Sequence, residues 1–336
     1  MFGLCFCLGA AFAVADEMTL NPNHPERYMV VAGDTLWDIA GRFLTHPWDW
    51  PKVWHENPQI RNPHWIYPGD ELVLSMVDGK PRIEVGMPSE IRLSPKIRVS
   101  PLDQAIPAIP MNAVRQFLSS PKVVGERDMK EAPYVLNFAA EHIVGGAGDR
   151  VYVRGIGKET GDAYTIFRAG TAYVRPETGA VLGYEAQYIA DTKLQRIGEV
   201  STLLLTRSNQ EVRIGDRLLP MEQEQIATAF HPHAAKPSLH GRILAVLNGV
   251  SQIGQYNVVV IDQGIADGIE VGHVFNVMQK GLAARDIVNP SFSGTVRLPD
   301  ENAGYLMVFR PFERVSYALI MHATRNIHVT DLVVPP

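Results

Sequence analysis

Four stretches in the carboxy-terminal two-thirds of the chain recur in the same order further on, and self-similarity of this kind confines a sequence to duplicated architectures. Gly161–Gly170 aligns with Gly272–Gly281, and Ile197–Thr206 with Phe312–Met321. Val212-Arg-Ile-Gly-Asp216-Arg-Leu-Leu-Pro220 aligns with Ile327-His-Val-Thr-Asp331-Leu-Val-Val-Pro335, and Asp149-Arg-Val-Tyr-Val-Arg154 with Tyr256-Asn-Val-Val-Val-Ile261. Short runs rich in Val, Ile, Leu, Tyr and Phe between glycine turns predict strands, hence small barrels or sandwiches. Residues 133–220 and 241–336 therefore read as two copies of one β-rich unit, joined by a Pro/His linker at 221–240. Such a duplication is a scaffold signature and asks for no chemistry.

Ahead of it, Tyr28–Leu74 has a different texture. Tyr28–Ala32 predicts a strand, stopped by the turn pair Gly33-Asp34. Thr35 followed three residues later by Asp38 is close to a capping box, which satisfies the orphan amides of a helix start. Leu36, Ile39, Ala40 and Phe43 then fall on one helix face. Pro51 suits the first turn of a second helix, because the N–H it lacks has no partner there. That helix carries Val53 and Trp54 and stops at Asn57-Pro58. Tyr67-Pro68-Gly69-Asp70 has type II turn composition and feeds a second strand ending near Leu74.

This strand–helix–helix–strand order, with Val30-Val31-x-Gly33-Asp34-Thr35-Leu36-Trp37-x-Ile39-Ala40 in front and Asn57-Pro58, Asn62-Pro63 and Ile66-Tyr67-Pro68-Gly69-Asp70-x-Leu72 behind, resembles a LysM domain. The resemblance implies a βααβ module that binds N-acetylglucosamine-containing glycan, in bacteria chiefly peptidoglycan. It also implies a shallow groove for the sugar chain. One wall is then Gly33, Asp34, Thr35 and Leu36, and the other is Ile66 and Tyr67, with Asn62 and Trp65 as further candidates. Each has a structural alternative: Thr35 as a helix cap, Leu36 as core, Gly33 as a turn. Thr45-His46-Pro47-Trp48-Asp49-Trp50 lengthens the link between the helices relative to the family.

From Ser75 to Ala132, seven prolines (Pro81, Pro88, Pro95, Pro101, Pro107, Pro110, Pro121) forbid long regular elements. Short strands are expected at Ile91–Ser94 and Lys96–Val99, and one helix at Met111–Ser119. The fold class expected is α+β: a LysM domain over 26–76, a Pro-rich connector over 77–132, and two tandem β-rich units. That order of parts, with Phe43-Leu-x-x-Pro-Trp-x-Trp-Pro51-Lys-Val-Trp54, resembles the TsaP-like secretin-associated proteins of type IV pilus machines, whose carboxy-terminal region is likened to FlgT. The resemblance implies a periplasmic, non-enzymatic anchor. It would hold peptidoglycan at one end and the outer-membrane secretin ring at the other, in many copies around the ring. Alternatives are a murein hydrolase or hydrolase activator, and an adaptor for another envelope complex such as the flagellar basal body.

A net charge of −5 over 336 residues gives no basic footprint for nucleic acid. No run beyond the amino terminus reaches the ~18 apolar residues of a membrane span. Met1–Ala15 is short and apolar and ends in the small-x-small pattern Ala13-Val14-Ala15. It reads as an export signal without the usual basic start, the alternative being a buried strand. Cys5 and Cys7 both lie inside it, so its removal leaves no thiol for a disulfide, metal site or nucleophile.

No catalytic constellation is expected. His231-Pro-His233 matches half of a zinc endopeptidase motif, yet no His-x-x-x-Asp partner lies upstream and the surroundings are linker-like. His55-Glu56 lacks the second histidine of a zincin helix. Gly249-Val-Ser251-Gln-Ile-Gly254 has one residue too many for a nucleophile elbow, and Gly155-Ile-Gly157 reads as a turn. No metal and no cofactor are expected. Trp48/Trp50 and Tyr184/Tyr188 read as core, with partner anchoring as the alternative.

Overall fold

The computed structural model describes residues 18–55, 66–77, 80–86, 106–119, 122–139, 142–157, 161–221, 230–247, 253–285 and 294–336. The expected export signal, Asn57-Pro58, the short strands at 91–99, Asn62 and Trp65 lie outside them. The chain divides into two compact units, Met1–Ile109 and Pro110–Pro336.

In the amino-terminal unit, β1 (Arg27–Met29), α1 (Leu36–Phe43), a 3-10 turn (Pro47–Asp49), α2 (Trp50–His55), β2 (Glu71–Val77) and β3 (Lys80–Val85) follow in order. The sheet runs β1-β2-β3 and is antiparallel throughout. β1 is shorter than the expected Tyr28–Ala32, because the chain already turns at Val31–Asp34. Leu36, Ile39, Ala40 and Phe43, the apolar face read from their spacing, are all 0% exposed. Arg42 on the other face stacks over the Tyr28 ring, 4.6 Å from its centroid. The insert between the helices folds inward: Trp48 and Trp50 are buried, and Trp48 meets Trp37 with ring centroids 6.3 Å apart. Those tryptophans are core, not partner anchors.

The carboxy-terminal unit opens with α3 (Met111–Ser119), β4 (Lys122–Val124) and α4 (Glu126–Glu131). Its first sheet adds β5 (Tyr134–Phe138), β6 (Arg150–Arg154), β7 (Ala163–Val174), β8 (Val181–Arg196), β9 (Val200–Ser208) and β10 (Arg217–Pro220). The order β8-β7-β10-β5-β6-β9 closes through a β8–β9 pairing into a barrel, with β4 appended on β8. Its second sheet holds β11 (His233–Ala234), β12 (Gly241–Val246), β13 (Val258–Ile261), β14 (His273–Gln279), β17 (Glu301–Pro311), β18 (Ser316–Ala323) and β19 (Leu332–Val334). The order β14-β17-β18-β13-β12-β19 closes through β14–β19, with β11 appended on β14. The small hairpin β15 (Ala283–Arg285) and β16 (Thr295–Arg297) stands between β14 and β17.

The two rings have one topology, taken strand by strand as β5/β12, β6/β13, β7/β14, β8/β17, β9/β18 and β10/β19. Each repeat segment seen in the sequence falls on an equivalent pair. Three pairs keep their register: Phe167 faces Arg217 and Met278 faces Leu332, as the alignment of those segments requires. The fourth needs a correction of one residue. Asp149 corresponds to Asn257, not to Tyr256, because their side chains close the same turn. Asp149 Oδ2 accepts the Gly146 amide and Asn257 Oδ1 accepts the Gly254 amide, each at 2.8 Å.

The barrel interiors match position for position: Val135, Val151, Val153, Ile166, Leu203, Val212 and Leu218 in the first are Ile243, Val259, Ile261, Val277, Ala318, Ile327 and Val333 in the second, all 0% exposed. Arginines of both barrels reach across to the other. The Arg175 guanidinium donates to the Asp262 carbonyl at 3.0 Å and sits 3.5 Å from its carboxylate. Arg242 pairs with Glu177, and Arg314 donates to the Val181 carbonyl at 3.1 Å.

Candidate functional site

The first wall of the expected groove is a turn followed by a helix start. Gly33 takes φ +100, a left-handed conformation that glycine alone adopts cheaply. The Asp34 carboxylate accepts the Val31 amide at 2.9 Å and the Tyr28 hydroxyl at 3.0 Å, so it is committed to its own turn. Burial is the main reason the Tyr28 hydroxyl is harder to ionise than usual, and the bond to Asp34 adds to it. Thr35 is the N-cap: its Oγ1 accepts the Asp38 amide at 3.1 Å and donates to the Asp38 carboxylate at 2.7 Å. Leu36 points its side chain into the core. Thr35 thus caps the helix, Leu36 packs in the core and Gly33 makes the turn, while the Asp34 side chain bonds within that turn.

The second wall repeats the device. Gly69 has φ +97, and the Asp70 carboxylate accepts the Tyr67 amide at 2.9 Å, giving the type II turn its composition called for. Ile66 is fully buried and Tyr67 is 37% exposed, which makes Tyr67 the one partly open aromatic of the described walls.

A third segment, not anticipated from the sequence, lies between these walls. The Ile106 amide donates to the Ile66 carbonyl at 2.9 Å. The Leu36 amide donates to the Pro107 carbonyl at 3.0 Å, and the Trp37 amide to the Ala108 carbonyl at 3.3 Å. Leu36 and Trp37 open α1, where amides have no intrahelical acceptor. Ile106–Ile109 thereby satisfies two orphan donors on one wall and an acceptor on the other. Ile106, Ala108 and Ile109 are buried, while Pro107 faces solvent. Proline-rich sequence carries no hydrophobic period, so only the alternation of apolar residues and prolines around Ile106 hinted at an extended strand.

Among the described residues, one group of possible metal donors comes together: His233, Glu270 and His273, with donor atoms within 4.8 Å of one another. The sequence offered only His231-x-His233, and the fold supplies the other two from the approach to β14. The hydrogen bond of His233 is one a ligating histidine also makes, but that of His273 does not suit a metal. Nδ1 of His233 meets the His231 carbonyl at 2.9 Å, which requires a proton on that nitrogen. Nδ1 of His273 accepts the Glu270 amide at 3.1 Å, so the neutral ring carries its proton on Nε2 and cannot offer that nitrogen as a ligand. Glu270 is also 3.6 Å from the Lys236 ammonium. Burial, helped by the neighbouring His233, holds His273 below the usual histidine range. The arrangement is a packed neutral histidine beside a linker.

Comparison with known proteins bears on the first of these regions. The family model that matches is the LysM domain, over residues 28–75. An uncharacterized protein of Bacillus subtilis (strain 168), YqbP, is 43% identical over 58 residues, a match covering 14% of this chain and 26% of the relative. The similarity thus spans about a quarter of that protein's length. No helix among the described residues is long and apolar enough to cross a membrane. Residues 28–75, with their two Gly-Asp turns, capped helix and antiparallel strands, are a LysM domain.

Proposed function

We propose that the chain is a non-enzymatic peptidoglycan-binding anchor. Its LysM domain holds N-acetylglucosamine-containing glycan between the Gly33–Leu36 and Ile66–Tyr67 walls, with Asn62 and Trp65 alongside. The observation that carries this reading is the LysM match over residues 28–75, a family of binding domains without catalytic machinery of their own. The cleft supports it chemically: backbone amides at Leu36 and Trp37 and a carbonyl at Ile66 suit an acetamido group, with Tyr67 offering apolar surface beside them. In this reading the paired barrels dock on an envelope partner, the outer-membrane secretin ring of a type IV pilus. Copies arrayed around a ring would raise a weak single-site affinity by effective concentration.

The full-length protein incubated with purified sacculi should sediment with them, and Tyr67→Ala should lower retention several-fold. Soluble N-acetylglucosamine oligomers should compete. Absence of sedimentation together with release of soluble muropeptides would replace the anchor with a hydrolase. For the partner, cross-linking in an envelope fraction with the full chain as bait should recover a secretin; recovery of flagellar basal-body components instead would select the other adaptor reading.

A further inference from the structure

The segment Ile106–Ile109 spans the cleft, and it does so with the functional group the cleft is built to receive. A peptide unit and an N-acetyl group share one chemistry, a carbonyl acceptor beside an N–H donor. The Pro107 and Ala108 carbonyls take the Leu36 and Trp37 amides, and the Ile106 amide reaches the Ile66 carbonyl. A sugar acetamido group lying between the same walls needs those same partners, so sugar and segment exclude one another. The occupancy is more than a passing contact: Ile106, Ala108 and Ile109 are 3%, 6% and 0% exposed.

We propose that Ile106–Ile109 is an intramolecular competitor that closes the LysM cleft, and that glycan binds only after this strap is displaced. The proposal rests on the cleft being the glycan site. A cleft that must first open binds with an affinity reduced by the open fraction, so weakening the strap should tighten binding. Pro107 suits the role, since it keeps the strap extended and contributes a carbonyl without an amide.

The test uses the full chain and an N-acetylglucosamine hexamer. Wild type is compared with Ile106→Asp and with Ile106→Pro, the first placing a charge in a buried seat and the second removing the amide that reaches Ile66 together with the buried isoleucine side chain. Both should bind the hexamer about tenfold more tightly than wild type. In wild type, hydrogen exchange at the Ile106 amide should accelerate on adding hexamer, while the Leu36 and Trp37 amides pass to the sugar and remain protected. Equal affinity in all three proteins, with Ile106 still protected in the bound state, would overturn the strap and leave the binding site standing. Failure of every protein to bind would remove the glycan reading and the strap's role with it. Protection at Ile39 and Phe43 identifies any variant that has lost its fold, in which case the wild-type exchange experiment decides alone.

Discussion

Thr35 separates a structural from a ligand-binding role more cleanly than any other residue of the cleft. Its Oγ1 accepts the Asp38 amide at 3.1 Å, and its side chain is almost fully buried. Thr35→Ala removes that cap, worth about 1 kcal/mol. It also removes a buried methyl equivalent, worth ~0.8 kcal/mol. The amino-terminal unit should therefore lose about 1–2 kcal/mol. Thr35→Ser keeps the oxygen and should lose no more than about 1 kcal/mol of that. The assay is built into the sequence: all five tryptophans, Trp37, Trp48, Trp50, Trp54 and Trp65, lie in Met1–Ile109. Urea unfolding followed by tryptophan emission thus reports on that unit alone, and buried Trp37, Trp48 and Trp50 should give a large red shift. With m unchanged, the midpoint should fall in Thr35→Ala and largely recover in Thr35→Ser. Equal losses in both variants would refute the capping argument. A loss of sacculus binding in Thr35→Ala with an unmoved midpoint would make Thr35 a sugar contact instead.

Three further outcomes follow from the barrels. Thr330 holds φ +78 at the position where the first barrel has Gly215 at φ +88, so Thr330→Gly should stabilise the carboxy-terminal unit by about 1 kcal/mol in calorimetry. Ile261→Ala and its counterpart Val153→Ala empty fully buried seats and should cost roughly 2–4 kcal/mol each, leaving the tryptophan-detected transition in place. His273 has a folded-state pKa below the usual 6.5, chiefly through burial and then through His233, with Lys236 lowering and Glu270 raising it. The unfolded chain binds this proton first, so the contribution of His273 is present above pH 6.5 and is lost as pH falls through its folded value. Melting temperatures measured at pH 7 and pH 5 should differ less in His273→Gln than in wild type.

What could be read in advance depended on whether a segment carried a period or a turn residue. Helix α1 announced itself through four apolar residues on one face, and both walls of the cleft through Gly-Asp pairs. Most of the duplication was legible because β7, β9 and β10 carry similar residues in both copies, and alternate positions along part of each strand are buried, which pins register. β13 defeated that signal. Val258-Val259-Val260-Ile261 is buried at all four positions, so apolar pattern alone fits two registers equally and the alignment slipped by one. Matching the side chains that close the preceding turn, Asp149 and Asn257, removes the ambiguity. The strap escaped notice for a related reason. Its hydrogen bonds are all backbone, and backbone leaves no mark on residue identity beyond the prolines that keep it extended. The donors grouped around His273 come from separate segments brought together by the parallel pairing of β11 with β14, a contact without a local signature.

Closing each barrel on itself has a consequence for assembly. In an open sheet the outermost strand can lend its unsatisfied amides and carbonyls to a stranger, and chains crowded together tend to zip edge to edge. Here the β8–β9 and β14–β19 pairings use up that opportunity, leaving, among the described residues, only the three-residue β4 and two-residue β11 as margins of the two barrel sheets. Copies meeting barrel to barrel would have little ladder to share, so recognition between barrels must be written in side chains. Specificity would then sit on the outer faces of the barrels, where substitution can retune it without disturbing the rings beneath.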